Sequence, residues 1–165
     1  MEAMKPVARC TIALAVMLTL TAPAVAQKYQ GVAVKSGRAA FKFAGKDLAF
    51  NHVEGGLQQV EGFTLATLVF RPDLKGKWNT HLNLVLMYQA PGKVDLEAAF
   101  TMSGLSMFSD GDVSRFTKGK SKCTITLTRA TPTEVEGTAD CPLLHDIGGE
   151  VRPPLTNLTF SATTK

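Results

Sequence analysis

Cys123-Thr-Ile-Thr-Leu-Thr-Arg-Ala-Thr-Pro132-Thr-Glu-Val-Glu-Gly-Thr-Ala-Asp-Cys141 is the stretch whose reading decides the fold. Folded at Pro132, it predicts a β-hairpin with Cys123 opposite Cys141, Ile125 opposite Ala139 and Leu127 opposite Gly137. These residues share one face because side chains alternate along a strand. Thr124, Thr126, Thr128, Glu136, Thr138 and Asp140 take the other, polar face. One register satisfies apolar alternation, turn placement and cysteine pairing together. A one-residue slip would break all three.

The cysteine count supports the pairing. Lys5 and Arg9 form a positive region, Thr11 to Leu20 an apolar run, and Ala24-Val25-Ala26 a small-residue cleavage site. This is the order of a secretory signal, so residues 1–26 are expected to be removed and Gln27 to begin the mature chain. The apolar run is far shorter than the roughly 20 residues needed to span a bilayer. No later segment reads as a membrane helix. The short run and the Ala-Val-Ala-Gln junction have a bacterial look. Cys10 leaves with the signal, so Cys123 and Cys141 are the two cysteines of a chain bound for an oxidising compartment, and a disulfide follows. The chain is thus expected to be exported, either periplasmic or secreted.

Residues 27–165 suit one domain with a real core. Loss of Lys5, Arg9 and Glu2 takes the formal charge from +4 to +3. That mild charge does not by itself argue for nucleic acid or a membrane surface, and a nucleic-acid partner is not expected.

Outward from the hairpin, nearly every segment alternates with period two. Tyr29–Ser36 and Arg38–Phe43 read as strands. A four-residue turn, Ala44 to Asp47, then leads to Leu48–Val53, with Phe43 by Leu48 and Phe41 by Phe50. Gly55-Gly56 and Gly62 bracket a short piece, Leu57–Val60. Phe63–Phe70 is apolar on both parities, as in a central strand. Arg71–Lys77 reads as a loop. Trp78, Thr80, Leu82, Leu84, Leu86 and Tyr88 form one face of the next strand. A loop at Pro91-Gly92 is expected to pair it with Val94–Thr101, Leu86 opposite Leu96. Residues 102–122 and 142–154 read as irregular. Leu155–Thr163 is the last strand. The sum is an all-β protein: a single antiparallel β-sandwich, or small barrel, of about eight to nine strands with one hairpin disulfide.

Catalytic signatures are missing: no G-x-S-x-G, HExxH, P-loop or strand-linked GxGxxG occurs. No catalytic residue, metal site or cofactor is expected. His52, His81 and His145 have no short metal-ligand spacing. His52 reads as a structural histidine on an inner face, His81 as a solvated surface residue. His145-Asp146 is a loop pair in which the carboxylate could orient the imidazole. Asp95 and Glu97 read as outward strand acids that serve solubility. Asp110-Gly111-Asp112 reads equally as a turn or half a calcium loop. Arg115, Lys118, Lys120 and Lys122, with Phe116 among them, either guard a sheet edge or hold an anion. Met102, Leu105, Met107 and Phe108 read as core capping.

These features favour a non-catalytic binding module. Its ligand-binding residues are expected to be Arg115, Phe116, Lys118, Lys120, His145 and Asp146, gathered at the disulfide end between the two long loops. The partner class is open, an anionic envelope polymer or a protein. An assembly subunit of the cell envelope is the alternative, and a small hydrolase a more remote one.

Overall fold

The computed structural model describes residues 31–73, 79–98 and 103–165. The expected signal segment, Tyr29, Trp78, Phe100 and Met102 lie outside the described residues. The chain forms β1 (Gly31–Ala33), β2 (Ser36–Phe43), β3 (Lys46–Phe50), β4 (His52–Val60), β5 (Phe63–Arg71), β6 (Thr80–Tyr88) and β7 (Gly92–Val94). There follow β8 (Gly104–Ser109), β9 (Asp112–Arg115), β10 (Lys122–Thr131), β11 (Glu134–His145), β12 (Val151–Arg152) and β13 (Leu155–Thr163). The expected all-β antiparallel architecture is what forms, with thirteen strands among the described residues rather than eight or nine. The extra strands are short ones inside stretches that read as loops.

All strands belong to one antiparallel sheet in the order β1-β4-β5-β6-β8-β9-β11-β13-β2-β3, with β7 and β10 attached through β11 and β12 on its far end. Pairing does not close the sheet. The chain itself joins its two ends, because β1 sits beside β4 while β2 sits beside β13. Between them the Val34 amide donates to Gly55 O and the Lys35 amide to Thr163 O. The long strand β11 serves both halves. Residues Glu134–Cys141 pair with β13, and His145 pairs with β9. One apolar cluster takes Phe70, Leu84 and Met107 from one half, and Ile125, Leu158 and Phe160 from the other.

The decisive hairpin folds in the predicted register over its middle. Ile125 lies opposite Ala139, and Leu127 opposite Gly137. Ile125, Leu127, Ala139 and Cys141 are buried, and the predicted polar face points outward. A bulge between Leu127 and Arg129 shifts the tip, so Thr131 pairs with Glu134 and the turn is Pro132-Thr133. Cys123 and Cys141 form the disulfide.

Elsewhere four expectations need correction. The β2–β3 turn has two residues, Ala44 and Gly45, both at positive φ. Such a turn matches strand twist better than the four-residue one. Phe41 therefore faces Leu48, and meets Phe50 diagonally, edge to face at 5.0 Å. The piece before Gly62 is no short fragment: β4 runs through Gly55 and Gly56. At Gly55, φ is +129° and a Cβ would sit 1.8 Å from Thr67 O, so β5 can approach only a glycine there. The third correction concerns β6, which pairs with β8 and not with residues 94–98, the described part of its expected partner, and β7 pairs with β10. Asp95 accepts the amides of Glu97 and Ala98 through its Oδ1, which turns the chain away from a hairpin. Finally, neither long stretch is irregular throughout: strands occupy part of each, while 116–121 and 146–150 remain loop and turn. Asp110-Gly111 is the two-residue turn of a β8–β9 hairpin, with φ of +51° and +92°. β11 continues to His145 and is met by β12.

Candidate functional site

At the far end of β11, β9, β11 and β12 lie side by side. Arg115 is in register with His145, and His145 with Val151. Leu144 is fully buried in the core, so His145 points to the outer side of the sheet. It is nonetheless 7 % exposed, because the chain from Phe116 to Ser121 folds over it. This covering loop is tied by a tight local network. The Lys120 and Ser121 amides donate to Thr117 O, and the Thr117 amide donates to Ser121 Oγ. Ser121 Oγ stands 3.0 Å from His145 Nδ1 and 3.3 Å from Arg115 O. The imidazole thus pins the loop to the sheet.

The turn after β11 closes the other flank. Asp146 Oδ1 accepts the Glu150 amide at 2.9 Å, and Asp146 Oδ2 accepts from Arg152 at 3.0 Å. Arg152 also reaches Asp112 at 3.5 Å. The Glu150 amide is the largest influence holding the Asp146 carboxyl below its usual range. Desolvation opposes it, while the Gly149 amide and Arg152 reinforce it. Gly149, at φ +91°, leaves room for Lys120, whose Nζ lies 3.3 Å from where a side chain would begin. The 116–121 loop and the 146–150 turn therefore meet above His145.

Four of the six expected residues come together here: Arg115, Lys120, His145 and Asp146. Asp146 does not orient the His145 imidazole, the arrangement their adjacency allowed, since one holds the loop and the other closes the turn. Phe116 packs against the core. Lys118 turns away and donates to Ala98 O at 3.0 Å, beside Glu97, which accepts the Gly119 amide. Glu97 is thus a loop tie rather than a solubility acid. Ser121, Thr117 and Arg152 belong to the same end and escaped the sequence reading. The Asp146-Ile-Gly-Gly-Glu150 turn motif was the signal that could have located the flank.

The charges at this end are unequal in partnership. Arg152 has two carboxylates. Arg115 and Lys120 have no ion-pair partner among the described residues. Arg115 Nε and Thr117 Oγ1 are buried with no hydrogen bond. Orphans of this kind are uncommon in folded proteins. Lys122 starts β10, whose outer side is paired only over Ile125–Leu127, a position that suits an edge-guarding lysine.

The other histidines also depart from expectation. His52 opens β4 opposite Arg71, whose guanidinium bonds Glu54, and is half-buried on the outer side. His81 is stacked on Phe108, with centroids 4.2 Å apart, rather than freely solvated. Among the described residues no three His, Cys, Asp or Glu side chains group to hold a metal ion.

No protein-family model and no curated protein matches the chain. One solved structure, the S-type phycobiliprotein lyase CPES from Guillardia theta, is similar at 13 % identity. The match covers 80 % of this chain and 86 % of that one, with a TM-score of 0.35. A likeness that low carries no argument about function.

Proposed function

We propose that the protein is an exported, non-catalytic binding module whose ligand presents an anionic group to Arg115 and Lys120 at the disulfide end. The observation that carries this reading is the pair of cations left without carboxylates where the 116–121 loop meets the 146–150 turn. Guanidinium groups suit carboxylate, phosphate and sulfate because their donors form a planar fork. The disulfide is compatible with export to an oxidising compartment. No helix among the described residues is long and apolar enough to cross a membrane.

The test is retention on a sulfated matrix at low salt. Arg115→Gln with Lys120→Gln should abolish retention at an unchanged melting temperature. Lys118→Gln, whose ammonium is turned toward Ala98, should retain normally. Equal retention by the double variant and the parent would overturn the reading.

A further inference from the structure

The outer face of the half-sheet β10-β11-β13-β2-β3 lies away from the loop end and is built differently. Its central rung takes one residue from each strand in register: Thr126, Thr138, Thr159, Ala40 and Ala49. Side chains this small leave shallow grooves of about 510, 350 and 360 Å³ side by side on the one face. The rungs above and below carry charge. Glu136 and Arg38 flank Ser161 in one. Asp140 lies in the β11–β13 bulge of the other, and Lys42 pairs with Thr156 across β13 from it.

The charges have a symmetry centred on β13. On β11 both are acidic, Glu136 and Asp140, while on β2 both are basic, Arg38 and Lys42. Arg38 and Asp140 have no ion-pair partner among the described residues, whereas Lys42 lies 4.0 Å from Asp47 and Glu136 3.8 Å from Arg129, exposed pairs that a second copy would have to extend rather than create. We infer that this face docks a second copy of the chain, sheet against sheet, about a two-fold axis running along β13. That operation exchanges β11 with β2. It sets Glu136 over Arg38 of the second copy and Asp140 over its Lys42, each twice, and brings Thr159 against its own equivalent. Isologous contacts require this kind of self-complementarity. The other in-plane axis, along the rung, would set Glu136 against Asp140 and Arg38 against Lys42, like against like. Sheets pack roughly 10 Å apart when facing side chains are modest in size, and the Thr–Ala rung permits that approach.

The face measures roughly 20 Å across five strands and about 17 Å along them. That is well below the ~800 Å² per partner of a standard stable interface, so the dimer is weak and reversible. Sedimentation velocity from micromolar to millimolar protein should show a monomer–dimer equilibrium that salt weakens. Arg38→Glu and Glu136→Arg should each weaken it about tenfold or more, and the two combined should restore it. Under mild oxidation Thr159→Cys should form a covalent dimer, whereas Lys46→Cys, in the β2–β3 turn region, should not. Monomer at every concentration, or Thr159→Cys linking no better than Lys46→Cys, would overturn the proposal. A dimer indifferent to both charge reversals would equally overturn it, by placing the contact on another face.

Discussion

Two hairpins of this molecule obey the same rules and differ in what they reveal. β10–β11 is long, alternating on either side of one bulge near its tip, and stapled by Cys123–Cys141. β8–β9 has strands of six and four residues joined by Asp110-Gly111. In the first, the inner face is apolar and the outer face polar from Thr124 to Thr128 and from Glu134 to Asp140. In the second, Leu105 and Met107 face the core, yet Phe108 lies on the outer side against His81. Apolar residues on both parities blur the period that identifies a strand. The contrast carries over to function. The long hairpin forms the frame, and the short one delivers Arg115 to the side of His145 and hands the chain to the covering loop.

The comparison can be broken hardest at Ile125. It is fully buried beneath the shared strand, and Ile125→Ala should cost about 2–5 kcal/mol in chemical denaturation. A loss within experimental error would mean that the long hairpin is not the frame. Next is the staple. Replacing both Cys123 and Cys141 with Ser should lower stability by about 3 kcal/mol, read from the denaturation midpoint under oxidising conditions. Because Cys141 sits in the common core, the melting of the double variant should stay a single transition. A separate early transition confined to the loop end would show the staple to be local. On the short hairpin, Gly111→Ala should cost about 1 kcal/mol, since φ is +92° there, while Pro132→Ala at the long hairpin's tip should cost less. Reversal of that order would place the tighter turn in the wrong hairpin.

The smallest effect is electrostatic. Asp146 has a lowered pKa, so its contribution is present above the ordinary aspartate range near ~3.9 and is lost as pH falls through the folded value. The protection factor of the Glu150 amide, its exchange rate corrected for intrinsic pH dependence, should therefore fall in acid. In Asp146→Asn that acid-dependent step should disappear. Exchange at Glu150 with the same pH profile in both proteins would remove Asp146 from the turn.

What was legible follows from the same contrast. The β10–β11 register and β13, Leu155–Thr163, could be read because alternation runs unbroken from Lys122 to Thr128, from Glu134 to Pro142 and from Asn157 to Thr163. The pairing of β6 could not. Val94–Thr101 alternates well enough to be a strand, yet over its described part, residues 94–98, Asp95 accepts the Glu97 and Ala98 amides and makes a turn. The candidate site was half legible. Arg115, Lys120, His145 and Asp146 were placed at one end correctly, because the disulfide brackets the segments that carry them. The partners of His145 and Asp146 could not be read, since Ser121 and Arg152 reach them by tertiary folding, 24 and 6 residues away.

The central claim is that the loop end receives an anion. Titrating sulfate or a sulfated oligosaccharide into isotope-labelled protein, followed by amide and side-chain NMR shifts, tests it most directly. The account predicts saturable shifts confined to Arg115, Thr117, Lys120, Ser121, His145 and Gly149. Shifts spread evenly over all surface lysines, or none at these positions, would contradict it.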